Sequence, residues 1–181
     1  MKWSQLKKRI EANFADSVAG RVEVWTTRYR KSHDQEGEAW VTIDKQRVWS
    51  MATCTYLLEW HREAMKLIKG PIDLSNPEQR EAYWQARHQV ENMLPARGVC
   101  KLDDVNRALF DFLNLSINDA IKSDDPIIRA FATLDRRFGR RRLDDFDDSK
   151  EHPLVKTLYR FRCKAEGVKI EPESLSPADA L

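Results

Sequence analysis

The sequence predicts an α+β fold: an N-terminal helix, a three-stranded antiparallel meander, then four or five helices. Three observations predict it. Apolar and polar residues alternate with period two between Arg21 and Thr53. From Thr55 onward the apolar residues recur three and four apart instead. Helix start and stop residues punctuate that second half at regular intervals. No repeat, low-complexity tract or linker separates the halves, so 1–167 reads as a single domain. Residues 168–181, with Pro172 and Pro177 among Glu, Ser and Asp, read as a flexible C-terminal tail.

The first helix is expected over about Ser4 to Ser17, where Leu6, Ile10 and Phe14 follow Trp3 at helical spacing and Gly20 follows as a stop. Arg21 to Arg30 is rich in β-branched and aromatic residues and forms the first strand. Lys31 to Gly37, carrying His33 and Asp34, is a polar loop. In Glu38 to Asp44, Ala39, Val41 and Ile43 share one face and Trp40 and Thr42 the other. In Arg47 to Thr53, Arg47, Trp49 and Met51 alternate with Val48, Ser50 and Ala52. Only Asp44-Lys45-Gln46 separates these runs, which calls for a tight antiparallel turn. The alternation cannot bury every tryptophan. Trp40 opposes Val41 and Ile43, so its face is either covered by later helices, the expected arrangement of a sandwiched sheet, or open to a partner.

Leu57, Trp60, Ala64 and Ile68 stripe a helix from Thr55 that Gly70 and Pro71 end. Ser75-Asn76-Pro77-Glu78-Gln79 opens the next helix, with Tyr83, Ala86, Val90 and Met93 inward and Pro95 and Gly98 closing it. Asp103 can cap a third, along Val105, Leu109, Phe112, Ser116 and Ala120, either unbroken to Lys122 or interrupted near Asn114. Asp124-Asp125-Pro126 starts a fourth, with Ile127, Phe131, Leu134 and Phe138 as its stripe and Gly139 as its stop. The last begins at Pro153, follows Leu154, Leu158, Phe161 and Ala165, and ends at Gly167.

Composition excludes several classes of function. The 31 basic residues nearly balance 29 acidic ones, so no global field draws the chain to nucleic acid. No apolar run approaches the roughly 20 residues of a membrane helix, and Met1-Lys2-Trp3-Ser4 has no signal-peptide core. The three cysteines, Cys54, Cys100 and Cys163, are odd in number and far apart, which argues against a disulfide framework or zinc finger and for reduced thiols. A cytoplasmic location is expected.

Two stretches, Gly37-Glu-Ala-Trp-Val-Thr-Ile-Asp44 leading into the Trp49 strand, and the run from Asp125 through Arg129, Arg136 and Arg137 to Leu143, resemble a family of small bacterial cytosolic proteins of unassigned function. The resemblance spans most of the chain. It implies a bacterial cytosolic protein of single-domain size, and it carries no catalytic motif.

The most unusual local feature is the arginine-rich segment. On a continuous helix Arg129, Arg136 and Arg140 would share one face with Thr133, and Arg137, Arg141 and Arg142 would extend the cluster beyond Gly139. Guanidinium forks bind carboxylates and phosphates, so the cluster suits an acidic protein surface, a phosphate ligand or nucleic acid. Asp144, Asp145, Asp147 and Asp148 follow at once and offer an alternative, neutralisation within the chain.

Enzyme signals are weaker. His61 falls on the apolar stripe of its helix, where a hydrogen-bonded core role is the commoner reading, and His88 lies one turn from Trp84 and Asn92 on the next helix; a pocket shared by the two would suit acid–base chemistry. No pair of histidines has metal-ligand spacing. Glu36, Glu38, Asp44 and Lys45 only superficially suggest a metal-dependent nuclease, because Asp44 and Lys45 sit in the turn itself. Phosphate-loop, dinucleotide and nucleophile-elbow motifs are missing from the sequence, and nothing calls for a cofactor. The leading expectation is a non-enzymatic module that contacts a protein partner through the arginine-rich helix face, the Trp-bearing sheet, or both. Nucleic-acid or phosphate binding by the same arginines is the alternative.

Overall fold

The computed structural model describes residues 2–30, 36–68 and 70–170 and has the expected α+β order. A first helix, α1 (Trp3–Glu11), is followed by strands β1 (Val22–Arg28), β2 (Gly37–Ile43) and β3 (Gln46–Ala52). Then come α2 (Thr53–Leu67), α3 (Pro77–Met93), a 3-10 turn over Pro95–Arg97, and α4 (Leu102–Asn114). The chain continues with α5 (Ile117–Ile121), α6 (Pro126–Leu134), α7 (Arg140–Asp144) and α8 (Pro153–Glu166). The polar loop with His33 and Asp34 and tail residues 171–181 lie outside the described residues.

The sheet is antiparallel in the order β1-β2-β3. Asp44 and Lys45 form the β2–β3 turn with φ of 48° and 68°, the left-handed pair that matches the twist of a two-residue hairpin. One correction concerns β3. Val41 pairs with Trp49 but Thr42 pairs with Arg47, so Val48 is an extra, bulged residue. Val48 and Trp49 therefore both pack toward the core. Arg47 moves to the opposite face from Trp49 and Met51, against the simple alternation.

The core forms where the inner sheet face (Val22, Val24, Ala39, Val41, Met51) meets α1, α4, α6 and α8. In α6 nearly every side chain is buried, and Phe131 packs on both Phe14 and Phe112. Asp125 starts α6 by accepting the Ile127 amide at 2.8 Å. Ser116 breaks the α4–α5 run by capping Asp119 at 3.2 Å, which settles the interruption near Asn114. Past Gly167, the C-cap of α8 (φ 66°), Val168 is buried and packs with Phe138, Leu143, Tyr159 and Cys163.

α1 is shorter than its apolar spacing implies. It ends at Glu11 because the chain beyond it pairs with the end of α6: Phe14 bridges Asp135, Ala15 N donates to Leu134 O at 2.8 Å, and Arg136 N to Asn13 O at 2.9 Å. The same pairing ends α6 at Leu134, earlier than its stripe suggests, and leaves Phe138 buried on a turn. α2 and α3 form a hairpin with a small core of its own, Tyr56, Ala64, Val90 and Leu94. Within it Leu57 and Met93 are exposed and Tyr56 and Leu94 occupy the inward places.

Candidate functional site

The single arginine-rich helix face does not exist. With α6 ending at Leu134 and α7 starting at Arg140, Arg129, Arg136 and Arg140 belong to three separate segments, and Thr133 is fully buried. Each is engaged by its own chain, although Arg136, Arg137 and Arg140 remain exposed. Arg129 pairs with Glu151 at 3.0 Å and donates to Ser123 O at 2.5 Å. Arg136 donates to the Ala12 carbonyl. Arg137 grips its near neighbour Asp135 with Nε and Nη2, the latter at 2.7 Å. Arg140 donates to Glu166 O and Gly167 O, where a cation complements the C-terminus of α8. Only Arg141 and Arg142 stand exposed without such a contact among the described residues. Among the described residues no ion pair joins these arginines to the aspartates that follow; Asp148 holds Arg160 at 2.6 Å and Asp147 accepts from Ser149 N at 2.9 Å.

Beneath this segment lies a buried polar centre that sequence reasoning missed. Arg162 on α8 donates to Thr133 O at 2.7 Å and Asp135 O at 2.6 Å, capping α6, and pairs with Glu166 at 2.9 Å. Ser17 Oγ reaches the same Glu166 oxygen at 2.9 Å. The signal was an arginine four residues after Leu158 and seven after Val155, on the stripe those two define. This centre is architectural. Arg162 Nε and Nη1 and Ser17 Oγ all meet acceptors of the same chain.

The outer sheet face is the surface left open. In the expected sandwich it would be covered, but α4, α6 and α8 gather on the inner face, and α1 reaches only the β1 edge, where Glu11 accepts the Val24 amide at 3.2 Å. Trp25 and Trp40 sit opposite each other in register, their rings 6.5 Å apart and within 16° of parallel. Lys7 lies 3.3 Å over the Trp25 ring, and Arg47 lies 4.5 Å over Trp40. Arg47 is steered by Glu38 at 2.5 Å, which also accepts from Ser50, and Lys7 by Glu11 at 3.5 Å. The result is a row of cation, ring, ring and cation across three strands. Trp25 remains 39% exposed and Tyr29 stands exposed just past the end of β1. The bulge at Val48 makes this row possible, because it is what turns Arg47 outward.

The two histidines do not share a pocket. A cleft of about 500 Å³ between α2 and α3 is lined by Tyr56, Trp60, Trp84, Arg87, His88 and Lys101. His88 is exposed at its rim, 3.5 Å from Glu91, while His61 is exposed elsewhere on α2 and does not line it. Arg87 lies 3.6 Å over Trp60 and bonds Tyr83 Oη at 2.7 Å, and Trp60 Nε1 donates to Arg87 O at 3.3 Å, so the cleft wall is cross-tied. Burial pushes the Tyr56 phenol up to about 12. Glu38 and Asp44, the acids of the nuclease-like pattern, are engaged by Arg47 and Arg21. Among the described residues no three His, Cys, Asp or Glu side chains gather as a metal site, and no helix is long and apolar enough to cross a membrane.

A model of the SF0329 protein family matches residues 2–163, so the chain belongs to that family. Nothing among curated proteins or solved structures matches it.

Proposed function

We propose that this protein is a non-enzymatic binding module that contacts a protein partner through the Trp25–Trp40 face of its sheet, in the cytoplasm of a bacterium. The observation that carries the reading is the tryptophan pair, Trp25 exposed and Trp40 half-buried, with a cation over each ring. Tryptophan, tyrosine and arginine supply most of the energy at protein interfaces, because they bury large areas and lose little conformational freedom. Here they are held in place before any partner arrives. The same cations count against a nucleic-acid platform, since a base could stack only by displacing Lys7 or Arg47. The dispersal of Arg129, Arg136, Arg137 and Arg140 over separate segments, each bonded to its own chain, counts against the phosphate-binding alternative as well. Three free thiols and the resemblance to bacterial cytosolic proteins support the location.

A photo-crosslinker at Thr27, on the same face of β1, tests the reading in a lysate of the source organism. The expected result is one dominant protein adduct that the Trp25→Ala and Trp40→Ala variants lose. A face that captures no protein, or that binds single-stranded oligonucleotides with the same tryptophan dependence, would overturn it.

A further inference from the structure

We propose that two copies of this chain associate through the outer face of α2, a surface separate from the Trp25–Trp40 face. Along that helix and its cap, Cys54, His61 and Ile68, and beside them Leu58 and Met65, recur every seven residues, with Leu57 at their edge. At 100° per residue they fall in one sector about 100° wide. It adjoins the inward stripe of Thr53, Tyr56 and Ala64 and is distinct from it. The sector is uncovered: Leu58 is 69% exposed, Met65 44% and Leu57 39%. Cys54 and His61 are exposed beside them. Its margin continues across the cleft to Trp84, 53% exposed on α3. Of the ten large hydrophobic side chains exposed among the described residues, seven lie between Leu57 and Met93. That is a concentration, not a scatter.

Three features identify the occupant as a second copy. The flanking charges of α2 balance one another, Glu59 with Arg62 at 2.5 Å and Glu63 with Lys66 at 2.7 Å, Glu63 also reaching Arg97 at 3.6 Å. The margin therefore has no net sign for an acidic or basic partner to match, and it is compatible with itself. The stripe is also self-complementary. Leu58 and Met65, its two most exposed members, are equidistant from the point between His61 and Arg62, so an antiparallel two-fold crossing there lays Leu58 of each chain on Met65 of the other. Finally, a stable pair removes about 800 Å² from each partner, more than one side chain can supply, and here Leu57, Leu58 and Met65 on α2 and Trp84 on the adjoining α3 are all exposed.

Sedimentation of the full chain over a concentration series tests this. The mass is expected to rise from the single-chain 21.2 kDa toward twice that value, and alkylation of Cys54 to slow in parallel. Leu58→Glu alone and Met65→Lys alone should each weaken association about tenfold or more, because each buries an unpaired charge. Combined, they place opposite charges against each other across the two-fold axis, and association should recover. Both positions are solvent-facing, so unchanged circular dichroism will show that the variants fold. A single-chain mass at every concentration, a pair indifferent to both substitutions, or a combined variant that fails to recover would each overturn the proposal.

Discussion

Arg162, 2% exposed, donates to the backbone carbonyl of Asp135 at 2.6 Å. One guanidinium thus closes the end of α6, through Asp135 and Thr133, and ties it to Glu166 of α8. Its removal leaves the buried Thr133 carbonyl without a partner, the Asp135 carbonyl with only the Phe138 amide and Glu166 with only the Ser17 hydroxyl. Arg162→Met should lower stability by about 3 kcal/mol, read from the urea midpoint. Arg162→Lys should fall between the two, since a point donor cannot span the same acceptors.

The hairpin turn offers the opposite sign. Lys45 holds φ at 68°, a conformation that crowds any Cβ. Lys45→Gly removes that crowding at some cost in chain entropy and should stabilise the fold by about 0.5 kcal/mol. A thermal melt decides it; a lower midpoint would mean that the left-handed pair is not maintained in solution.

His152 links pH to stability. Its Nδ1 accepts the Leu154 amide at 3.1 Å as the cap of α8, its ring packs edge-on to Trp49 at 5.2 Å, and burial lowers its pKa below the usual 6.5. The folded state therefore holds the neutral ring, while the unfolded chain takes up a proton as pH falls below 6.5. The stability associated with the neutral form is present above that value and is lost as pH falls toward the depressed folded pKa. His152→Asn keeps a cap acceptor without the titration. The difference in urea midpoint between wild type and variant should change between pH 7 and pH 5, with wild type losing more.

Thiol reactivity should single out one cysteine. Cys54 is exposed, whereas Cys100 and Cys163 are buried, and burial pushes the Cys100 thiol up to about 12. At low protein concentration a thiol reagent should modify one group quickly in the folded chain and the other two only with unfolding. Two fast groups would mean that the core around Cys100 or Cys163 opens readily.

The elements with strong local signals were legible in the sequence. The hairpin turn, the Asn76 and Asp125 caps, the Pro153 start and the Gly167 stop all act within a few residues, and each is where the pattern placed it. The failures share a different cause. The ends of α1 and α6 are set by pairing between Phe14 and Asp135, which lie far apart in the chain, and no local spacing announces it. The loss of the arginine face follows directly from that pairing. The Trp face was legible as a question, since alternation showed that Trp40 opposes Val41. That it is open depended on the helices packing on the other side, a tertiary fact. The outward turn of Arg47 depended on a single bulged residue. His61 illustrates the limit of periodicity: the spacing was helical, but α2 carries two adjoining apolar sectors, and His61 lies on the outer one.

The α2–α3 hairpin rests on a few side chains, Tyr56, Ala64, Val90 and Leu94, that form a cluster apart from the main core. Where it meets the body, Gly98 (φ 75°) presses against His152 and Trp49 so closely that any Cβ there would collide with them. Because the hairpin's own cluster is small and shares no residue with the main core, it is expected to part from the body without opening the layer between sheet and α6. Amide protons of α2 and α3 should exchange with solvent through this local opening, ahead of those in α4, α6 and α8. The residence time of the closed arm is then set by what lies against its outside as much as by what lies beneath it, which makes amide protection there a direct gauge of occupancy.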